Sequence, residues 1–168
     1  MTAPIRRTLA LATLAFASLS TVARAQSGPA PQPQGSASEH IATAADSSGI
    51  REAAMDYIQG WYEGNADRMQ RALHPELAKR IVRTDSKSGR SMIQTMGALT
   101  LINSTKMGGG ATTPAARRRT DYRLLDIYEN AAVARVDAGD WVDFLQLAKW
   151  NGRWVIANVL WELRPQSP

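Results

Sequence analysis

The sequence predicts an α+β fold, with a curved antiparallel β-sheet wrapped as a cone around N-terminal helices. Three observations predict it. Helix-period apolar stripes come first along the folded region, strand-like runs come last, and Asn151-Gly152 joins the final two runs as a hairpin. Helices segregated from strands fit an α+β arrangement better than an alternating parallel α/β sheet.

The 168 residues divide by composition into three parts. Arg6-Arg7, the apolar run from Thr8 to Val22 and Ala23-Arg24-Ala25 follow the three-part plan of a secretory signal peptide, with cleavage before Gln26. A secreted or periplasmic location is therefore expected. The apolar run is shorter than the ~20 residues that span a bilayer, so no membrane association is expected after cleavage. Residues 26–46 form the expected linker, opening on an uncharged stretch rich in Pro, Gln, Ser and Gly that cannot bury a core. Residues 47–164 are the expected folded domain.

Charge excludes some functions. Twenty Lys+Arg against 15 Asp+Glu give a net charge of +5. Removing Arg6, Arg7 and Arg24 with the leader leaves 17 against 15, or +2. That balance gives no reason to expect nucleic acid as a partner. Lys79, Arg80, Arg83, Lys87, Arg90 and Arg117-Arg118-Arg119 read as a solvated loop and the lip of a strand, with no interleaved aromatic residue to stack on bases. There is no cysteine, and the two histidines, His40 and His74, are too scattered for a zinc site. No Gly-rich phosphate loop, nucleophile elbow or HExxH pattern occurs, so neither cofactor nor metal is expected. Gly108-Gly109-Gly110 reads as a flexible connection.

The elements are justified in order. Asp46-Ser47-Ser48-Gly49 offers capping groups for a helix from about Ile50, whose stripe is Ile50, Ala54, Tyr57, Ile58 and Trp61. Gly64 fits a left-handed helix end, and Asn65 caps a second helix lined by Met69, Ala72 and Leu73. Pro75 drives His74 out of helical geometry and stops it. Ile81-Val82 reads as a short strand. Met92, Met96, Leu99 and Ile102 predict a third helix from Ser91 to about Lys106. Strands follow at Asp121–Tyr128, Ala131–Asp137, Trp141–Trp150 and Arg153–Leu163.

The hairpin register decides where Asp143 points. A two-residue turn pairs Trp150 with Arg153 and puts Asp143 on the face of Asn158 and Leu160. A three-residue turn with Gly152 as a bulge pairs Lys149 with Arg153 and puts Asp143 with Val159 and Trp161. The second separates polar from apolar better and is preferred. Its inner face reads Trp141, Asp143, Leu145, Leu147, Val155, Ala157, Val159, Trp161 and Leu163. The other face, with Phe144, Trp150, Trp154, Ile156 and Leu160, is too apolar to leave in water and predicts a homodimer through the sheet.

The segment Tyr57-Ile-Gln-Gly-Trp-Tyr-Glu-Gly-Asn-Ala-Asp-Arg-Met-Gln-Arg-Ala-Leu-His-Pro-Glu-Leu-Ala-Lys-Arg80, with the closing hairpin Asp143–Trp161, resembles the "Putative lumazine-binding" subgroup of the nuclear transport factor 2-like superfamily. The resemblance covers about Ser48 to Leu163 and implies the cystatin-like, nuclear transport factor 2-like cone and a pterin-like ligand. A more distant resemblance to the ketosteroid isomerases places their oxyanion-binding tyrosine on Tyr57 and their neutral, hydrogen-bond-donating acid on Asp143. Their general base falls near Arg80-Ile81-Val82, where no acid stands.

Tyr57, Trp61, Asp143 and Trp161 are therefore the candidate ligand-binding residues, for a small hydrophobic or heteroaromatic molecule. No catalytic residue is assigned. The aromatic pair either roofs a pocket or packs helix on sheet. Asp143 is either a ligand-facing donor or a structural acid paired with a buried Arg or a Tyr hydroxyl. His74 reads as a structural cap. An isomerase or dehydratase alternative needs Glu76, Asp126 or His74 as a base in the cavity. A structural dimerisation module is the third reading.

Overall fold

Thr43 starts the first helix. The structure, a computed structural model, describes residues 42–165. The expected leader and most of the expected linker lie outside the described residues. Helix α1 spans Ala44–Glu63, six residues earlier than the capping groups at 46–49 suggested. The reason is a capping box. The Thr43 hydroxyl accepts from the Asp46 amide at 3.1 Å, and the Asp46 carboxylate accepts from the Thr43 amide at 3.3 Å. Asp46 therefore stands inside the first turn rather than before it.

Gly64 ends α1 in the left-handed region, at φ 66°. Asn65 caps α2 (Ala66–Ala72), its side-chain oxygen accepting from the Arg68 amide at 3.1 Å. The helix stops before His74-Pro75, as expected. Strand β1 (Leu73–Thr84) follows at once and is far longer than the Ile81-Val82 pair. Its pairing to the last strand is interrupted between Leu73 and Ala78, around the proline, which has no N–H to offer. His74 Nδ1 accepts the Glu76 amide there at 3.1 Å, a structural role.

The single helix expected over 91–106 is instead a strand, β2 (Ser91–Gly97), followed by α3 (Ala98–Lys106). A turn at Asp85–Arg90 folds β2 back onto β1. Asp85 Oδ1 accepts the Lys87 and Ser88 amides, and Gly89 takes φ 69°. Met92 and Met96 are four apart, a spacing that fits one face of a strand as well as a helix. Pairing with β1, from Ala78↔Gly97 to Thr84↔Ser91, decides for the strand.

Strands β3 (Asp121–Tyr128), β4 (Ala131–Asp137), β5 (Trp141–Trp150) and β6 (Arg153–Leu163) occupy the spans read from the sequence. The sheet order is β2-β1-β6-β5-β4-β3, antiparallel except for the parallel β1–β6 pair. The sheet is curved and does not close. Its concave face packs on α1 through Ile50, Ala54, Ile58, Ala134, Val136, Leu145, Leu147, Ile156 and Val159, all buried. Each such side chain stabilises the fold by roughly 1.5–3 kcal/mol when it is as large as Ile, Leu or Val.

The hairpin combines both registers. Trp150 pairs with Arg153 across a two-residue turn, with Asn151 at φ 50° and Gly152 at φ 79°, so the preferred three-residue turn is corrected. The register then shifts between Gln146↔Asn158 and Leu147↔Ile156, leaving Ala157 as the extra residue. Beyond this bulge Asp143 pairs with Trp161, on the face expected. Before it, Trp154 and Ile156 point inward to the core, in place of Val155 and Ala157.

The Trp154 indole donates to Asp46 Oδ1 at 3.1 Å, and Lys149 Nζ donates to the same oxygen at 2.8 Å. With Thr43 these bonds hold the Asp46 carboxyl far below its ordinary value near 3.8, the Lys149 bond contributing most. A depressed folded-state value means that the unfolded chain binds protons first as pH falls. The stabilisation is complete above about pH 5 and is lost below it. Asp46→Asn is therefore expected to lower the melting temperature at neutral pH and to flatten its fall between about pH 5 and pH 2. Thermal melts across that range, compared with the parent, measure both effects.

Candidate functional site

Between α1, α3 and the open end of the sheet lies a cavity of about 320 Å³. Tyr57, Ile58 and Trp61 of α1 form one wall. Met69, Met96 and Leu101 close a second, and Trp141, Trp161 and Leu163 of the β5–β6 ribbon form the third. Lys79 and Asp140 are its charged members. The volume sits at the small end of the range for ligand pockets.

The floor is a buried polar cluster. Lys79 and Asp143 face each other across β6, since their strands flank it in the sheet. Lys79 Nζ donates to Asp143 Oδ1 at 2.5 Å and to the Tyr57 hydroxyl at 2.6 Å. The Tyr57 hydroxyl donates to Asp143 Oδ2 at 3.1 Å, and the Trp141 indole donates to the same oxygen at 2.7 Å. Asp143 is fully buried and Lys79 is 7% exposed. Burial pushes the Lys79 ammonium below its ordinary value, against the pull of Asp143. Burial, and then the adjacent carboxylate, hold the Tyr57 phenol well above its ordinary value.

The four residues predicted for binding are thus brought together, in unequal roles. Tyr57, Trp61 and Trp161 line the cavity. Asp143 lies behind them and accepts three hydrogen bonds, which makes it the structural acid paired with a Tyr hydroxyl; the cation beside it is a lysine rather than an arginine.

Lys79 and Trp141 were missed. From the sequence Lys79 reads as one of the solvated basic residues at the lip of a strand. The signal that it points inward is alternation: Leu77, Lys79 and Ile81 are buried on one face of β1. Recognising it required a strand longer than Ile81-Val82. The three bases of the isomerase alternative do not reach the cavity. Glu76 and Asp126 are exposed, and none of Glu76, Asp126 or His74 lines it.

Gly108-Gly109-Gly110 is a packed turn rather than a free connection. A Cβ on Gly109 would meet the Trp61 ring at 2.5 Å, and one on Gly110 would meet it at 2.3 Å. The turn backs the Trp61 indole from outside the cavity. At the rim, Arg117 pairs with Asp140 at 2.5 Å, and the Tyr62 hydroxyl accepts the Gly139 amide at 3.1 Å. Among the described residues no group of three or more His, Cys, Asp or Glu is placed to hold a metal, and no helix is long and apolar enough to cross a membrane.

The model of the family described as "Putative lumazine-binding" matches residues 45–162, all of the helices and sheet but their outermost residues, Ala44 and Leu163. The chain belongs to this family. It carries the nuclear transport factor 2-like fold. A nuclear transport factor 2-like protein of unknown function from Shewanella baltica OS155 superposes with a TM-score of 0.55 at 18% identity, covering 73% of this chain and 96% of the other. One from Methylobacillus flagellatus KT gives 0.55 at 22% identity, over 73% and 95%. A Nostoc punctiforme PCC 73102 protein with a cystatin-like fold gives 0.51 at 18% identity, over 75% and 96%. No curated protein matches the chain.

Removing one member of a buried ion pair strands the other, which typically costs about 3–5 kcal/mol. Asp143→Asn is expected to destabilise the domain by about that much. Lys79→Met combined with Asp143→Asn is expected to be less damaging than Asp143→Asn alone. Urea denaturation of the parent, both single variants and the double variant measures the coupling; additive effects would contradict the paired floor.

Proposed function

We propose that the protein is an exported, non-catalytic small-molecule-binding domain whose ligand occupies the cavity over Tyr57, Lys79 and Trp161. The observation that carries this reading is the unfilled apolar volume of about 320 Å³ walled by three tryptophans and a tyrosine. A helix that served only to pack on the sheet would fill that space, because interiors are close-packed. The family's description supports a planar heteroaromatic ligand, and aromatic walls suit one. The absence of an acid at Arg80-Ile81-Val82, together with the outward placement of Glu76 and Asp126, supports binding over isomerisation.

A panel of planar aromatic compounds, lumazine included, is expected to contain at least one that changes tryptophan emission and raises the melting temperature. A ligand at 100 times its Kd adds about 2.7 kcal/mol of stability. Met96→Trp narrows the cavity and is expected to weaken that ligand at least tenfold. Silence from the whole panel in both assays would sink the reading.

Export and self-association complete the proposal. The outward face of the sheet carries Val82, Phe144 and Leu160, exposed by 43, 41 and 56%. Trp154, which the sequence places on that face, is a core residue at 6% exposure and does not contribute to it. The expected outcome is an intact mass beginning at Gln26 after expression in an exporting host, and a dimeric mass in solution that Phe144→Arg halves. A retained leader would refute export, and a mass unchanged by Phe144→Arg would refute the sheet dimer.

A further inference from the structure

We infer that the cavity selects an anionic ligand, an aromatic or other compact apolar molecule bearing one carboxylate, with the carboxylate directed to Lys79 and Arg83. The inference rests on the small-molecule reading above and goes on to name the ligand's class. An ammonium group has three N–H donors. Asp143 and the Tyr57 hydroxyl take two of those on Lys79. The other neighbours are aromatic ring faces, those of Trp161 and Tyr57, with centroids 4.8 and 5.3 Å from Nζ. A ring face is a weak acceptor beside a carboxylate oxygen, so an anionic ligand gains a charge-assisted bond at this position.

Arg83 supplies the second cation. It lies four residues along β1 from Lys79, on the same strand face, and its guanidinium sits 5.7 Å from the centroid of the same Trp161 ring. It is half-buried, and no carboxylate pairs with it among the described residues.

The charge balance points the same way. Lys79 is neutralised by Asp143, and Asp140 at the rim is neutralised by Arg117. Arg83 is left over, one positive charge against the Trp161 ring that walls the chamber. An apolar anion matches both the walls and the surplus charge. A cation meets repulsion at Lys79, a neutral molecule leaves Arg83 unanswered, and Asp140, the other charged member of the lining, is already paired with Arg117.

Matched probes test this on the full chain: 2-naphthoate and its neutral amide, followed by calorimetric titration and thermal shift. The carboxylate is expected to bind at least tenfold more tightly than the amide, with an advantage that shrinks as salt rises. Arg83→Gln, a half-buried side chain outside the core, is expected to keep the parent melting temperature and to lose most of the advantage. Equal or tighter binding of the amide would overturn the anion preference while leaving the small-molecule reading intact. A preference that Arg83→Gln does not reduce would overturn it too. No binding by either naphthyl probe or by any compound of the aromatic panel would remove both.

Discussion

The buried contact between Lys79 and Asp143 constrains everything around it. The two residues stand on β1 and β5, with β6 between them, so their backbones are about 10 Å apart at the usual strand spacing. Only a long side chain on a concave surface closes that gap to 2.5 Å. The desolvation of two charges costs several kcal/mol per ion unless every remaining donor and acceptor is met. Tyr57 and Trp141 meet them except for the third Lys79 N–H, which has only aromatic ring faces beside it. Because Tyr57 belongs to α1, the same cluster fixes the first helix over the sheet at one height and rotation. The apolar core would tolerate small slips of α1, whereas a hydroxyl shared between an ammonium and a carboxylate does not.

This arrangement settles how polarity is distributed in the cavity. Asp143 spends both oxygens on protein donors, so it presents an occupied acceptor rather than a proton to a ligand. The distant resemblance to ketosteroid isomerases implied a neutral, donating acid at this position. The lysine inverts that role: it turns the acid into a counter-ion and becomes the donor that faces the chamber. The lysine on β1 therefore decides which atom of the cluster meets a ligand, while tyrosine and aspartate stand at the positions implied for them.

How much of this was legible in the sequence depended on the range of the interaction concerned. The four C-terminal strands and the existence of a hairpin at Asn151-Gly152 rest on local alternation and turn chemistry, and their places match the structure, although the turn has two residues rather than the three preferred. The span 91–106 failed because methionines four apart suit either period, and the deciding partner was β1, itself read as only two residues long. That shortened β1 also hid Lys79, since a lysine followed by arginine looks solvated unless Leu77 and Ile81 are seen to share its face. The face of Asp143 was right for a reason placed wrongly. The extra residue is Ala157, inside β6, and nothing local marks an alanine as a bulge. The same displacement turned Trp154 and Ile156 inward, where they meet Asp46 and the core.

The glycine turn at 108–110 shows why the cavity persists. Trp61 presents one face to the chamber, and an indole on a surface helix is free to swing inward and fill apolar space beside it. The backbone of Gly109 and Gly110 lies so close behind the ring that no side chain fits between them. That close approach gives Trp61 contact on its outer face and removes the dispersion advantage of collapsing inward. On the opposite wall, Lys79 and Arg83 hold Trp161 by its ring face. The two tryptophans are thus each anchored, Trp61 by packing from outside the chamber and Trp161 by the cations against its ring. An aromatic wall that is held from behind stays in place whether or not a ligand is present, which lowers the ordering cost of binding one.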